Sequence, residues 1–181
     1  MSSNTEKIET FHDFRFGFEV ILVDAPMKQV RGEWVPTINA NELRMAVLGG
    51  ITTKPGRLSG AEVRFVRQWM ERTTTQFGEL LGVSHAAVLK WEKKGQHPTG
   101  MNQATEFRLR VLTLQHLPPA VQDRIIATHQ RTQSQVSELT RLLGLIEEVW
   151  SETSVHTPQR QPIRIPPELV AQQSLPALRR P

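Results

Sequence analysis

Thr73-Thr74-Thr75-Gln76-Phe77-Gly78-Glu79-Leu80-Leu81-Gly82-Val83-Ser84 is the stretch from which the rest of this chain can be read. Thr73 and Gln76 stand three apart ahead of an apolar run and form a capping box, in which each side chain satisfies the other residue's orphan backbone donor. A helix is expected to open there and to run through Leu81. Gly82 can adopt the left-handed conformation that ends a helix, and Ser84 can cap the next. That next helix, His85 to Lys94, is stopped by Gly95 and Pro98. Phe77, Leu81, Val83, Val88 and Trp91 are apolar where two such helices must face each other, and Gly78 is small where they cross most closely. Two short helices joined by a three-residue turn containing glycine have the architecture of the DNA-binding helix-turn-helix.

Working outward, Ser59-Gly60-Ala61-Glu62 is a second capping box. It opens a helix that places Val63, Val66 and Met70 on one face and stops near Arg72. Residues 58–130 read as consecutive helices. Further upstream, Phe14, Phe16, Phe18, Val20 and Leu22 recur at every second position, predicting a nine-residue strand. Asp24-Ala25-Pro26 breaks it, Met27–Arg31 forms a second strand, and Gly32-Glu33 turns the chain toward Trp34-Val35-Pro36. Asn39 or Asn41 is expected to cap a short helix through Leu48, closed by Gly49-Gly50, with Ile51–Arg57 as a linker. The fold class is mainly α with a small N-terminal β region. The expected divisions are residues 1–53 (β-containing), 54–130 (helical, with the helix-turn-helix), 131–152 (an amphipathic helix) and 153–181 (a tail).

Charge is unevenly distributed. Residues 1–53 carry five Lys/Arg against seven Asp/Glu, and 54–115 carry ten against five. Residues 116–152 carry three against five, and 153–181 four against one. A local positive excess over the helical centre is what phosphate binding requires, since counterion release drives sequence-independent affinity. The absence of cysteine excludes disulfides and thiolate metal sites. No apolar run is long enough to span a membrane and the amino terminus lacks a signal-peptide core, so a cytoplasmic location is expected. Six of the twelve prolines fall in residues 153–181, which read as an extended or disordered basic tail. With no nucleotide-binding glycine loop, no metal-ligand cluster and scattered histidines, neither a cofactor nor enzymatic activity is expected.

The residues quoted first, together with Val88 and Trp91-Glu92, resemble the phage-repressor (Cro/C1, or XRE) helix-turn-helix, and the resemblance spans residues 58–115. Thr74 stands where that family commonly has a phosphate-contacting Gln, and Gly78 where Ala is usual. Gly56-Arg57-Leu58-Ser59-Gly60-Ala61-Glu62-Val63-Arg64-Phe65-Val66-Arg67, leading into Leu80-Leu81-Gly82-Val83-Ser84 and Trp91-Glu92, is also similar to the MqsA-type antitoxins. Those proteins join an amino-terminal zinc ribbon to this helix-turn-helix. Lys28-Gln29-Val30-Arg31-Gly32-Glu33 has the outline of the family's Cys-x-x-Cys-Gly-Glu knuckle, but with Lys28 and Arg31 at the cysteine positions. The resemblance therefore implies a degenerate ribbon without metal.

On a helix begun at Ser84, the side chains facing away from Val88 and Trp91 are His85, Ala86, Leu89, Lys90 and Lys93. Similarity to the phage repressors places these five and Ser84 over the major groove. There Lys90 can donate to guanine and Ala86 or Leu89 can touch a thymine methyl; the alternative reading of the lysines is a solvated surface. Thr74, Lys94, Arg57, Arg64 and Arg72 are candidate phosphate contacts. The resemblance makes Arg67 and Glu92 a structural ion pair between two helices. Val136, Leu139, Leu143, Ile146 and Trp150 follow a heptad seam that must be buried against the chain's own domain or a second subunit, and a homodimer on a palindromic duplex DNA operator is expected. The expected function is a transcriptional repressor. It is either the autoregulating antitoxin of a toxin–antitoxin pair, with a protein toxin as partner, or a stand-alone phage- or plasmid-type regulator.

Overall fold

The structure, a computed structural model, describes residues 5–7, 10–129, 146 and 162–166. It is mainly helical with a small β region. The strands are β1 (Thr5–Lys7), β2 (Thr10–Asp13), β3 (Val20–Val23), β4 (Pro26–Val30), β5 (Glu33–Pro36) and β6 (Ile163–Ile165). The helices are α1 (Ala40–Thr53), α2 (Gly60–Trp69), α3 (Thr74–Leu81), α4 (His85–Glu92), α5 (Gln103–His116) and α6 (Pro119–His129). The strands form two three-stranded sheets, ordered β1-β4-β5 and β2-β3-β6. In the second sheet β2 is antiparallel to β3, and β6 lies parallel to β3 with Val20 opposite Ile163 and Leu22 opposite Ile165.

The expected nine-residue strand is two structures. Phe14–Phe18 is the turn of the β2–β3 hairpin, closed by the Gly17 amide donating to the Phe14 carbonyl at 3.1 Å, with Gly17 at φ +82°. The alternating aromatics have separate fates. Phe16 and Phe18 meet the ring of Phe65 on α2 edge to face, at 5.4 and 5.6 Å between centroids, while Phe14 is exposed. For the three phenylalanines the alternation is not a pleat, whereas Val20 and Leu22 do lie in β3.

Asn39 caps α1 by accepting from the Asn41 amide, but the helix does not stop at Gly49-Gly50. A Cβ on Gly49 would stand 2.9 Å from Ile125 Cδ1, and one on Gly50 would collide with Ile163. The two glycines let α6 and β6 press against α1 and are no termination signal, so the helix continues to Thr53.

The stretch read as a linker is pinned. Arg110 of α5, 1% exposed, donates from Nη1 to the carbonyls of Ile51, Thr52 and Lys54 at 3.2, 3.2 and 2.9 Å. Its Nη2 donates to Gly56 O at 2.7 Å and to Glu106 Oε1 at 3.1 Å. One guanidinium thus donates to orphan carbonyls of the last turn of α1 and to carbonyls just beyond it. Burial draws its pKa below the ordinary arginine range, and the Glu106 carboxylate opposes that shift. Beside it, the buried Lys54 ammonium contacts Glu62 Oε1 at 2.7 Å while Glu62 Oε2 accepts from the Ser59 amide, so the α2 capping box is tied to the same network.

The tail also differs from expectation in the part described. Ile163 and Ile165 are fully buried, with Arg164 exposed between them. They join one continuous core with Leu22 of β3, Val47 and Ile51 of α1, Val66 of α2, Phe77 of α3, Val88 of α4 and Leu109 of α5. Ile146 belongs to this core at 1% exposure. For that residue the heptad seam is closed by its own chain rather than by a second subunit. Val136, Leu139, Leu143 and Trp150 lie outside the described residues.

Candidate nucleic-acid interface

The pair α3–α4 is built by the local signals that the sequence carries. Thr73 accepts from the Gln76 amide and Gln76 Oε1 from the Thr73 amide, at 3.2 and 3.0 Å. Gly82 ends α3 in the left-handed region at φ +72°, and Ser84 Oγ accepts from the Ala87 amide at 3.3 Å to open α4. A Cβ on Gly78 would lie 2.7 Å from Val83 O and 3.3 Å from the His85 amide nitrogen. The glycine is therefore required for the turn to fold back over α3. Phe77, Leu81, Val88 and Trp91 are buried between the helices, and Val83 is half-buried.

α4 is fixed from behind as well. Glu92, 5% exposed, receives Arg67 Nε at 2.5 Å and Arg67 Nη2 at 3.1 Å, and Arg64 Nε approaches its Oε2 at 3.4 Å. Arg67 Nη1 donates to the Arg72 carbonyl at 2.8 Å, which also sets the turn before α3. The first turn of α2 adds a second tie: the Gly60 amide donates to His97 O and the Ala61 amide to Gly95 O, at 3.1 and 2.6 Å. Orphan donors of one helix therefore hold the loop that leaves the other. The capping box at Ser59 was legible in sequence, but this second use of the α2 N-terminus was not, because its acceptors lie more than thirty residues away.

The outward face of α4 carries Ser84, His85, Ala86, Leu89, Lys90 and Lys93, all exposed, with Lys94 exposed just beyond. Ala86, Leu89, Lys90, Lys93 and Lys94 line one shallow open groove. Leu89 is 40% exposed, so an apolar strip lies along the lysines. The single carboxylate of α4, Glu92, is turned into the protein, which leaves this face without a negative charge of its own.

Of the other sites, Thr74 is half-buried in the first turn of α3 and Arg72 is exposed. Arg64 is half exposed at its side chain and lies along Glu92. Arg57 departs from the expectation of a phosphate contact. Its Nε lies 3.0 Å from the fully buried Glu106 carboxylate, and its Nη2 donates to the Met101 carbonyl. Its charge neutralises a carboxylate that also accepts the Leu58 amide, so the side chain is drawn inward. In the β4–β5 hairpin, Lys28 is exposed on β4 and Arg31 sits in the turn at φ +53°. An ammonium and a guanidinium, both cationic and without a free lone pair, do not fit a zinc ion. Among the described residues no group of three His, Asp or Glu side chains is gathered for a metal, and no helix is long and apolar enough to cross a membrane.

The site is thus a rigidly backed, exposed helix with a basic and partly apolar face, of the class that can lie in a groove. Comparison with protein-family models, with curated proteins and with solved structures finds no match for this chain.

Proposed function

We propose that this chain is a sequence-specific duplex-DNA-binding repressor of the phage-repressor (Cro/C1) helix-turn-helix type, reading the major groove with α4. The observation that carries the reading is the division of α4 into two faces. Val88, Trp91 and Glu92 are buried and anchored, while His85, Ala86, Leu89, Lys90 and Lys93 stand exposed with no acid among them. A helix held this firmly meets the requirement of base readout, since donors must reach base edges in fixed register. Lys94 and Arg72, exposed at the edges of the pair, suit phosphate contacts that set the docking angle. Operator occupancy by two copies on a palindrome follows from the same class.

Lys90→Ala should weaken operator binding by about 1–3 kcal/mol and relax specificity at one base pair, whereas Lys94→Ala should weaken all sequences alike and flatten the salt dependence. Titrations of both variants against operator and random duplexes at several salt concentrations check this. Equal losses for Lys90→Ala on both duplexes would remove it from the readout set.

The narrower role is that of an antitoxin. The β4–β5 hairpin supports it by exposing Val30 and Trp34, an apolar surface suited to a protein partner. The competing role is a stand-alone regulator. Co-purification of parent and Val30→Asp/Trp34→Ala protein with the product of the adjacent gene separates them. Substitutions are needed here because a truncation at residue 53 would strip Leu43, Val47 and Ile51 from the core.

A further inference from the structure

The β2–β3 turn does not face away from α4. Gln96, in the loop leaving α4, reaches the Gly17 carbonyl of that turn with its Nε2 at 3.5 Å. Phe16 and Phe18 clamp the turn's other side to Phe65 of α2. The tip is therefore continuous with the end of α4 that carries Lys93 and Lys94. Two side chains remain outside these anchors: Phe14, 58% exposed, and Arg15, whose side chain is 70% exposed.

Arg15 is held in a way that a solvated surface arginine is not. The buried Asp13 carboxylate takes its Nε at 2.9 Å and its Nη2 at 2.6 Å, and also accepts the Arg15 amide at 2.9 Å. This fork fixes the guanidinium plane and leaves Nη1 without a hydrogen-bond partner among the described residues. A guanidinium oriented by a carboxylate is preorganised to donate to an oxygen acceptor, and an exposed ring beside it offers an apolar face.

Resting on the DNA-binding reading of α4, we propose that the β2–β3 tip is a second DNA-contacting element. Arg15 donates to oxygen acceptors of the duplex flanking the base pairs under α4, and Phe14 lies against the same segment. Those acceptors are phosphate oxygens or minor-groove base edges, and duplexes with methylphosphonate linkages in the flank tell the two apart, since they weaken only the first. The contact adds little to the salt dependence, because Asp13 neutralises the charge that Arg15 brings.

The test uses the full-length protein and a duplex selected by it, compared with the same duplex cut to the pairs beneath α4. Phe14→Ala shortens a largely exposed side chain outside the buried core. Asp13→Asn/Arg15→Gln removes the fork without leaving a buried carboxylate alone. Each is expected to lose roughly tenfold in affinity on the long duplex, and to match the parent on the short one. Hydroxyl-radical protection should shrink only in the flanks. Lys90→Ala should weaken both duplexes. If Lys90→Ala weakens binding while both tip variants bind the long duplex as the parent does, the tip proposal fails and the α4 reading stands. If the parent retains no duplex at all, both fail.

Discussion

From Ser59 to Glu92, each helix opens on a side chain that satisfies a backbone donor three residues ahead, and the turn between α3 and α4 is set by Gly78, Gly82 and Ser84. The strands ahead of them are completed from far away. β3 pairs with Ile163–Ile165, the β2–β3 turn leans on Phe65 and Gln96, and α1 ends on a guanidinium from α5. Short-range contacts cost little chain entropy to form, whereas the distant ones must close long loops before they contribute. The first region is specified largely by local capping and turn contacts. The two are tied where Lys54, at the end of α1, meets Glu62 of the first region, and α5 braces that junction through Arg110 and Glu106.

The sharpest way to break that contrast is at Arg110. Arg110→Ala would leave the carbonyls of Ile51, Thr52, Lys54 and Gly56 without their donor, while Arg57 still neutralises Glu106. Several unsatisfied acceptors at about 1–3 kcal/mol each make a loss of about 3–5 kcal/mol. A denaturant titration followed by tryptophan fluorescence should show one transition at a much lower midpoint, because both regions share one core. Two separated transitions would mean that the strands and the helices fold independently.

A smaller effect is expected at the distant strand. Ile163→Ala removes a fully buried side chain that packs on Gly50 and should cost about 2–4 kcal/mol. The expected readout is a lower midpoint of the same single transition, with amide protection in β3, α1, α3 and α4 lost together. Unchanged stability would mean that β6 adds nothing to the core.

The smallest effect concerns pH. Burial alone would raise the Asp13 pKa, but the Arg15 side-chain hydrogen bond, its amide hydrogen bond and its charge outweigh burial and hold it below the usual 3.8. A carboxyl whose folded pKa is depressed contributes stability that is fully present above the ordinary aspartate range. That contribution is lost as pH falls through the depressed value. Thermal melts across the acid range should show the parent losing stability on acidification faster than Asp13→Asn. Parallel acid profiles would mean that the fork does not hold the hairpin tip.

The same contrast governs what could be read in advance. Capping boxes, the turn glycine and the exposed face of α4 are local, so their residues declare them, whereas the Arg67–Glu92 pair is implied only by the phage-repressor resemblance. Gly49-Gly50 looked like a helix stop because the side chains filling their space, Ile125, Ile163 and Ile165, are distant. Arg110 and Glu106 are spaced four apart on a helix, like any solvated surface pair, and nothing nearby announces that α1 ends on them. Ile163-Arg164-Ile165 alternates over only three residues between prolines, too short a pattern to stand out in a polar tail. Arg57 gave no sign of its inward turn, since Glu106 is remote in sequence.

The central claim is that α4 presents a sequence-reading face to duplex DNA. Selection from a random duplex pool by the full-length protein, parent beside Lys90→Ala, tests it most directly. The parent should enrich one palindromic motif, held in a salt-dependent manner, and Lys90→Ala should enrich the same motif with one position in each half-site relaxed. A parent pool that stays random through successive rounds would contradict the account, as would a motif that Lys90→Ala recovers unchanged at equal affinity.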